Sequence, residues 1–510
     1  MANSVSRKVF KALTYNAFRV GISTAISIIY SITVVRYLDI QKFGAYVFLD
    51  SIFVISTVLF GPGIRAPIIR FIPELITKKD YSRLRRLIEI LQKLNLLAAV
   101  TATLLILFSA DFIFVALGKP ELAFYARIMA LGIIPSTLFA MAKKILTAVY
   151  EQKYLSILET LLSVLELSLL IIFAIILDLD LVGIIMIYFI SYTIGAIASS
   201  VYIRQRHRYL FEGEQSPVGS DYIQRMLRYA TPLTILDFIN NIEGSINNIF
   251  LGIFSKLEDT ALFDIPNSFV NRVLSRVWDV ISPIGIVSLT EIDYSTPTNM
   301  RFAVQQYVKI VSLYTIPVAI GGIMIAEPLL VSFYGYKVLA SVQIFRIMLL
   351  AYGVLNMVEI SRIILNVKEQ THIILFGEVV RILIMILLSL WLIPSLGIMG
   401  TAISIIVSSV ITNAYYTYFA VVRLRMGNFF PLKNIGKYLA SGLLMGVTVV
   451  IIVLLHMNSL WTLISSLIAG PFTYVLALRL VRAFDQMDKE LFMNMKIPFK
   501  FVILKLLWKE

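Results

Sequence analysis

The sequence predicts an all-α polytopic membrane protein of about fourteen transmembrane helices, with two six-helix lobes in parallel pseudo-repeat and two C-terminal helices. Three observations predict this fold: an apolar composition, apolar segments long enough to span a bilayer, and similar motifs that recur in the two halves of the chain. Hydrophobic residues make up 59% of the chain and charged residues 15%, whereas soluble domains carry about 25% charge. The mean hydropathy is +0.86.

The apolar segments place the spans, because about twenty residues of helix cross a hydrocarbon core about 30 Å thick. An N-terminal lobe over residues 1–203 holds six, near 17–35, 45–66, 88–109, 122–142, 156–177 and 182–203. A basic linker over 204–228 precedes a C-terminal lobe over 229–422, with spans near 229–254, 263–289, 304–326, 341–366, 372–394 and 398–420. Residues 423–481 hold the last two, near 438–457 and 460–481, and residues 482–510 form a basic amphipathic tail of the kind that lies in the membrane interface.

The distribution of Lys and Arg sets the orientation, because basic loops stay in the cytoplasm. With the N-terminus inside, the predicted outer loops hold only five of the 45 basic residues, namely Arg36, Lys42, Lys119, Lys256 and Lys337. Both termini and the linker are therefore predicted to be cytoplasmic, in a multi-pass protein of the cell membrane. The net charge of +14 is mostly this topology signal, and no segment offers the basic soluble face that a nucleic-acid partner needs.

Several function classes lack their signatures. The chain has no cysteine and only three scattered histidines, which leaves no metal-ligand spacing. It has no phosphate-binding loop for an ATP motor, and no cofactor motif is present. The segment Asp178-Leu-Asp180 resembles a glycosyltransferase metal motif, but it lies in an outer turn too short for a catalytic loop, so we interpret it as a solvated turn. The first apolar segment is long and lacks a cleavage site, so we interpret it as a retained span.

Two pairs of motifs indicate an internal duplication. The segment Lys144-Ile-Leu-Thr-Ala-Val-Tyr-Glu151-Gln152 in the first half resembles Arg362-Ile-Ile-Leu-Asn-Val-Lys-Glu369-Gln370 in the second. Each half also ends in Arg-x-Arg, at Arg204 to Arg206 and at Arg423 to Arg425. Chance similarity between two Leu- and Ile-rich segments is the alternative. Because six spans per half is an even number, a duplication gives a parallel repeat with a cavity expected between the lobes.

A further motif lies between the first two spans: Arg36-Tyr-Leu38-Asp-Ile-Gln-Lys-Phe43-Gly44-Ala-Tyr46. It resembles the pattern of the polysaccharide transporter (O-antigen flippase-like) branch of the multidrug/oligosaccharidyl-lipid/polysaccharide exporter superfamily. Gly61-Pro-Gly63, Pro232, Asn248-Ile-Phe-Leu-Gly252 and Ile393-Pro-Ser-Leu-Gly397-Ile-Met-Gly400-Thr-Ala402 also fit, while Asp39, Asn248 and Ala261 depart from the family's preferences. The resemblance implies two lobes that face each other in a V, alternating access, and lipid-linked glycans as cargo.

Polar residues inside the spans are the candidates for function, because charges in hydrocarbon are costly. Span seven carries a polar face made of Asp237, Asn240, Asn241, Gly244 and Asn248, with Glu243 and Asn247 near its edge. Such a face does not point at lipid. We favour the wall of a wet cavity, with Asn240, Asn241 and Asn248 as substrate contacts and Asp237 and Glu243 as ion-coupling residues. A stripe buried against other helices by hydrogen bonds is the alternative.

Span eight is rich in arginine. It carries Arg272, Arg276 and Asp279 with Asn267, Asn271 and Ser275. Arg276 and Asp279 have the i,i+3 spacing of an ion pair, which leaves one positive charge on the helix. Either an acid of span seven neutralises it, or an arginine binds the pyrophosphate of the cargo, for which a planar guanidinium is well suited. Asn271 then completes the predicted substrate site.

Other embedded charges have simpler interpretations. Glu359 with Arg362 and Glu378 with Arg381 are i,i+3 pairs that we interpret as neutralised structural pairs. Asp50, Glu159 and Glu166 have no local basic partner and are candidates for proton relay, or for bonds to neighbouring helices; we assign Asp50 and Asp279 to ion coupling. Arg19 and Arg65 lie near predicted cytoplasmic ends. They either snorkel or form an inner ring that captures phosphate.

The leading functional hypothesis is a flippase for a polyprenyl pyrophosphate-linked oligosaccharide, acting in surface polysaccharide or glycoprotein biosynthesis. Its expected partners are the lipid-linked glycan, membrane lipids, a coupling H⁺ or Na⁺, and glycan-assembly enzymes. The first rival is a cation-coupled drug antiporter of the same superfamily, which needs a cavity dominated by acids. A membrane glycosyltransferase needs a large outer loop with catalytic acids, and a non-transporting scaffold leaves the polar faces of spans seven and eight unexplained.

Overall fold

Apolar segments form long helices throughout the part of the chain that the computed structural model describes, which is residues 25–59, 65–214, 219–275, 297–423, 427, 429–455 and 458–484. Eleven helical segments in these ranges are long and apolar enough to cross a membrane. They coincide with predicted spans two to six and nine to fourteen: Ile40–Leu59, Tyr81–Ala116, Leu122–Ala148, Gln152–Ala174, Asp180–Arg206, Val304–Met324, Ser341–Val367, Thr371–Leu396, Ile398–Arg423, Leu432–Leu454 and Ser459–Leu480. The all-α membrane fold is therefore confirmed.

The three remaining predicted spans are also helical where they are described. Span one corresponds to the short apolar helix Ala25–Tyr37, span seven to Ser220–Phe254 and span eight to Leu257–Val270. The total of fourteen stays a prediction, because part of spans one and eight lies outside the described residues. The predicted amphipathic tail also lies outside them after residue 484.

We number the helices by the structure. The first half contains α1 (Ala25–Tyr37), α2 (Ile40–Leu59), α3 (Arg65–Thr77), α4 (Tyr81–Ala116), α5 (Leu122–Leu131), α6 (Ile133–Ala148), α7 (Gln152–Ile171), α8 (Asp180–Arg206) and α9 (Ser220–Phe254). After α10 (Leu257–Val270) come α11 (Pro297–Met324), α12 (Ala326–Tyr334), α13 (Ser341–Val358), α14 (Ile360–Val367), α15 (Thr371–Leu396), α16 (Ile398–Tyr418), α17 (Leu432–Leu454) and α18 (Ser459–Leu480). Contacts divide the chain into two units, Met1–Ala261 and Leu262–Glu510.

Helix α9 belongs to the first unit, whereas the sequence places span seven in the lobe that starts at residue 229. The reason is its packing on α2. Two glycines permit close approaches to neighbouring helices here, Gly252 of α9 to α2 and Gly44 of α2 to the start of α10. A Cβ on Gly252 would lie 2.2 Å from the ring of Phe48, and a Cβ on Gly44 would lie 1.8 Å from the carbonyl oxygen of Leu257. Gly44 is the glycine of the family-like motif, so that motif has a packing role in this fold.

We expect Gly44→Ala to destabilise the first unit by about 2 kcal/mol, the usual cost of overpacking a filled site. The clash is with backbone, so a side-chain rotation cannot relieve it. Thermal unfolding of the purified protein in detergent would show a lower midpoint. Gly244→Ala on α9 is the matched control, because nothing lies within 4 Å of its added Cβ. Equal midpoints for both variants would contradict this packing.

The same motif also holds the turn between α7 and α8 in the first unit. The hydroxyl of Tyr37 donates to a carboxylate oxygen of Asp178 at 2.9 Å and accepts from the backbone N–H of Asp180 at the same distance. Lys42 forms an ion pair with the Asp180 carboxylate. The Asp178-Leu-Asp180 turn is therefore bonded to other protein groups, which the sequence interpretation as a solvated turn did not foresee.

The basic linker is partly structured. Helix α9 starts within it, and Arg225 makes a two-pronged ion pair with Glu74 at 3.0 and 3.1 Å. Lys78 also donates to Glu74, and these cations lower the pKa of that carboxyl, Lys78 most strongly. His207 lies 3.2 Å from Glu151, which also accepts from a tyrosine on α8. These contacts anchor the linker to the first unit.

In the second unit, the Gly442-Leu-Leu-Met-Gly446 motif of α17 packs against α11. A Cβ on Gly442 would lie 2.8 Å from Ile320, and one on Gly446 would lie 3.0 Å from the same side chain. The motif is thus an intramolecular packing face.

Candidate functional site

A polar and aromatic chamber lies inside the first unit, between α2, α5, α7 and α8. Glu166 on α7 accepts a hydrogen bond from the hydroxyl of Ser191 on α8 at 2.6 Å. Asp50 on α2 lines a cavity of about 10 Å³, the room that a single water molecule needs. The other lining residues are Phe53, Ile128, Met129, Gly132, Ile185, Tyr188, Phe189 and Tyr192.

Tyrosine rings fill the rest of the chamber. Tyr188 is at its centre, 5.9 Å from Tyr46, 6.4 Å from Tyr30 and 6.1 Å from Tyr192, measured between ring centroids. The rings of Tyr192 and Phe53 stack at 6.4 Å. A half-buried carboxylate among phenol groups can hold a proton or a small cation, because hydroxyls supply hydrogen bonds while the rings limit the access of water.

Two turns of the first unit and two turns of the second share an unusual backbone conformation, a positive φ. The paired turns are separated along the chain by the same number of residues as Arg204 and Arg423. Tyr150 and Glu369 have positive φ values of 62° and 56°, and Asp178 and Gly397 have values of 45° and 53°. Both pairs of turns are related by the same offset as the Arg-x-Arg motifs. The duplication is therefore visible in the turns. It also corrects the motif alignment made from sequence, because Lys143 rather than Lys144 is equivalent to Arg362.

Aligning the two halves at this separation shows that the second unit lacks the polar residues of the chamber. The residues equivalent to Glu166, Tyr188, Ser191 and Tyr192 are Met385, Val407, Val410 and Ile411. Since apolar side chains serve at these positions in one half, the polar ones are not required by the helix packing of the repeat. They are therefore candidates for a functional role.

The polar face predicted on span seven is divided between two environments. Asn241 and Gly244 are exposed, while Asn247 and Asn248 are buried at 2% and 4% exposure. Glu243 lies half-buried between them. The side chains of Asp237 and Asn240 are outside the described part of the chain. The buried end of the face fits interhelical bonding, and the exposed end fits a cavity wall.

Helix α10 ends in a wide turn of π-helix over Asn271–Ser275. Asn271 donates to Asn267 at 3.2 Å, and the hydroxyl of Tyr314 donates to the carbonyl of Val273 at 3.1 Å. Arg272 is half-buried within this turn. Arg276, Asp279 and Arg19 lie outside the described residues, as does the side chain of Arg65, so their predicted roles stay predictions.

A second charged cluster lies where α14, α15 and α16 meet in the second unit. Arg362 donates to Glu359 at 3.0 Å, and Arg381 donates to Glu378 at 2.6 and 2.9 Å, which confirms both predicted pairs. Arg362 also lies 3.6 Å from Glu378, which accepts a further hydrogen bond from the hydroxyl of Tyr416 at 3.1 Å. Glu378 is 3% exposed. The cluster is neutral and its most buried carboxylate is fully engaged.

The first unit has an equivalent of part of this cluster. Lys143 and Glu159 lie 3.4 Å apart, and the repeat makes them the counterparts of Arg362 and Glu378. Both pairs therefore join consecutive spans, spans four and five in the first unit and spans ten and eleven in the second. Among the described residues, no group of three or more His, Cys, Asp or Glu side chains is arranged to hold a metal ion.

A duplicated all-helical fold with embedded charges is typical of polytopic transporters. The family described as "Polysaccharide biosynthesis protein" matches residues 9–282. That is more than half of the chain, so the protein belongs to this family, which confirms the resemblance given by its motifs. No curated protein matches the sequence significantly.

Solved structures share the fold. A lipid II flippase MurJ in an inward closed conformation matches with a TM-score of 0.72 and 14% identity, over 91% of this chain and 98% of that one. A multidrug resistance MATE family transporter of the MOP superfamily matches in its inward-facing form with a TM-score of 0.63 and 16% identity, over 80% and 95%. An outward-facing structure of such a transporter matches with 0.56 and 17%, over 82% and 96%. At 14–17% identity, these matches show that the chain shares its fold with these membrane transporters.

Sequence reasoning did not find the tyrosine chamber. It named Asp50 and Glu166 singly but not the rings around them, because Tyr46 and Tyr188 lie on separate helices, and spacing within one helix cannot bring them together. Aligning the two halves of the sequence could have indicated the chamber, because its polar residues in the first half align with apolar residues in the second.

Proposed function

We propose that this protein is a flippase that carries a polyprenyl (pyro)phosphate-linked oligosaccharide across the cytoplasmic membrane by alternating access. One observation supports this most. A chain of the polysaccharide biosynthesis family shares its fold with a lipid II flippase over 91% of its length, against 80% for the multidrug transporter. The structural match to the flippase therefore covers more of this chain than the match to the multidrug transporter does. The polar head of the cargo would pass through the protein while its lipid stays in the bilayer.

The arginines that follow α10 in the chain are the proposed contacts for the cargo's phosphates. A guanidinium remains charged at any physiological pH and offers a planar fork that matches phosphate oxygens. Arg272 in the π-helical turn and Arg276 after it supply this group, and Asn241, Asn248 and Asn271 are further polar contacts in the proposal. Both termini are proposed to be cytoplasmic, so that glycan-assembly enzymes meet the protein on the side where the cargo is made.

Deletion of the gene tests this proposal. A strain without the flippase should accumulate a completed glycan on its polyprenyl carrier, and a plasmid copy should restore its normal level. Lipid extraction and mass spectrometry measure this directly. Unchanged lipid-linked glycans, together with sensitivity to cationic drugs, would favour the antiporter instead.

We further propose that the chamber of the first unit couples transport to a cation, with Glu166 and Asp50 as the binding carboxylates. In the described part of the chain, the hydrogen bond that Glu166 accepts comes from a serine hydroxyl and not from a cation, so a proton or Na⁺ can exchange there. Glu159, two turns earlier on the same helix, pairs instead with Lys143.

Glu166→Gln should therefore lower the rate driven by an imposed proton or sodium gradient by roughly tenfold, the effect of losing one charge-assisted bond to the ion. The rate without a gradient should stay near wild type in proteoliposomes. Glu159→Gln is the matched control and should keep its response to the gradient. A Glu166→Gln protein that still follows both gradients fully would exclude this carboxylate as the coupling group.

A further inference from the structure

The repeat relates two arginines that lie near one end of equivalent helices. Arg127 on α5 and Arg346 on α13 occupy the same position in the two halves. Each donates its Nε–H to a backbone carbonyl of an earlier helix. Arg127 donates to Leu107 on α4 at 3.4 Å, and Arg346 donates to Ile323 on α11 at 3.3 Å. The duplication has thus kept both the residue and the way its guanidinium is anchored.

The two arginines differ in how their charge is neutralised. Arg127 uses a terminal nitrogen to form an ion pair with Asp111. The acid in the corresponding place, four residues after the anchoring carbonyl, is Glu327. Glu327 is exposed on α12 and forms no ion pair with Arg346 in the described part of the chain. The terminal nitrogens of Arg346 consequently have no described carboxylate partner.

Such a charge needs a counter-ion. Arg346 is half-buried and is the sixth residue of an apolar span that runs from Ser341 to Val367. At 1.5 Å per residue it lies about 8 Å inside the end of the helix. Since a cation within an apolar span is costly without a counter-ion, and since the described bond of Arg346 uses only its Nε–H, the terminal nitrogens are available to an external oxyanion.

We propose that Arg346 binds a phosphate group carried by a lipid at this end of the second unit. Two lipids carry that chemistry: a phospholipid head group, and the polyprenyl pyrophosphate of the cargo. The second source depends on the proposed function, whereas the first does not. Arg127, already paired with Asp111, does not bind phosphate in the same way.

The test measures thermal unfolding of the purified full-length protein in detergent, titrated separately with undecaprenyl pyrophosphate and with phosphatidylglycerol. Wild-type protein should be stabilised by at least one of the two lipids. Arg346→Gln should weaken that lipid's apparent affinity roughly tenfold, as expected for loss of a bidentate charged contact. Arg127→Gln is the matched control and should leave the affinity unchanged.

The lipid that loses affinity identifies the source of the phosphate. Loss with undecaprenyl pyrophosphate alone assigns Arg346 to the cargo, and loss with phosphatidylglycerol assigns it to a phospholipid even if glycan transport fails to appear. Arg346→Lys separates a fork from a simple charge, because lysine keeps the charge and can snorkel but has no planar fork. Full affinity in Arg346→Lys would show that the charge alone binds the phosphate. Full affinity in monodisperse Arg346→Gln protein, or no stabilisation of the wild type by either lipid, would overturn the proposal.

Discussion

Glu378→Ala is expected to remove most of the folded protein. The change leaves Arg381 buried without its carboxylate and takes one of two acids from Arg362. Breaking a buried pair by removing one partner costs about 3–5 kcal/mol, because the remaining charge is uncompensated. The fraction of extracted protein that elutes as a single species in size-exclusion chromatography measures the loss.

Two further variants separate charge from packing in this cluster. Glu359→Ala removes the more exposed acid, whose side chain is 31% exposed, and should cost about 1 kcal/mol or less. The double change Glu378→Met with Arg381→Met replaces both charges by apolar groups and should recover much of the folded yield. A single Glu378→Ala protein as stable as the Glu359→Ala protein would show that the carboxylate is not what holds the three helices together.

The double variant Arg272→Ala/Arg276→Ala is expected to lower the transport rate about a hundredfold while the folded yield stays normal. A hydrogen bond to a charged group contributes roughly 1.5–3 kcal/mol, and 1.4 kcal/mol corresponds to about tenfold. Lysine at either position keeps the charge but loses the fork, so it should restore only part of the rate. Flipping by purified variants in liposomes measures this.

A structural role for Arg276 predicts a different pattern. If that arginine only neutralises Asp279, then Arg276→Ala with Asp279→Ala should recover what Arg276→Ala alone loses. A residue that binds the cargo cannot be rescued by removing an acid. Normal transport by the Arg272→Ala/Arg276→Ala protein at wild-type abundance would refute the cationic site and favour the drug antiporter.

The helices could be predicted because membrane insertion leaves a direct trace in the sequence. Apolar length alone locates Thr371–Leu396 and Asp180–Arg206 to within a few residues of their predicted limits. The i,i+3 spacing of Glu378 and Arg381 likewise reveals their pairing, since one helical turn fixes it. The packing of α9 on α2 was not predicted, because the close approach of Gly252 to Phe48 is revealed only once both helices are in place.

Contacts between distant helices account for what the sequence did not reveal. The hydroxyl of Tyr416 donates to Glu378, which is 38 positions away in the sequence. The hydroxyl of Tyr37 donates to Asp178, which is 141 positions away. No periodicity within one helix records such a pairing. Comparison of the two halves supplies a partial substitute, because a polar residue with an apolar equivalent, such as Glu166 against Met385, marks a position where one half has specialised.

Movement of a lipid-linked glycan by the purified protein tests the central claim most directly. The measurement uses liposomes that contain a fluorescent undecaprenyl pyrophosphate-linked oligosaccharide and a quencher that cannot cross the bilayer. Liposomes with the protein should lose nearly all of their fluorescence as inner-leaflet cargo reaches the outer leaflet. Liposomes with the Arg272→Ala/Arg276→Ala protein should lose only the fraction that starts in the outer leaflet. Identical quenching with wild-type protein and with empty liposomes, in the presence and absence of a cation gradient, would contradict a flippase.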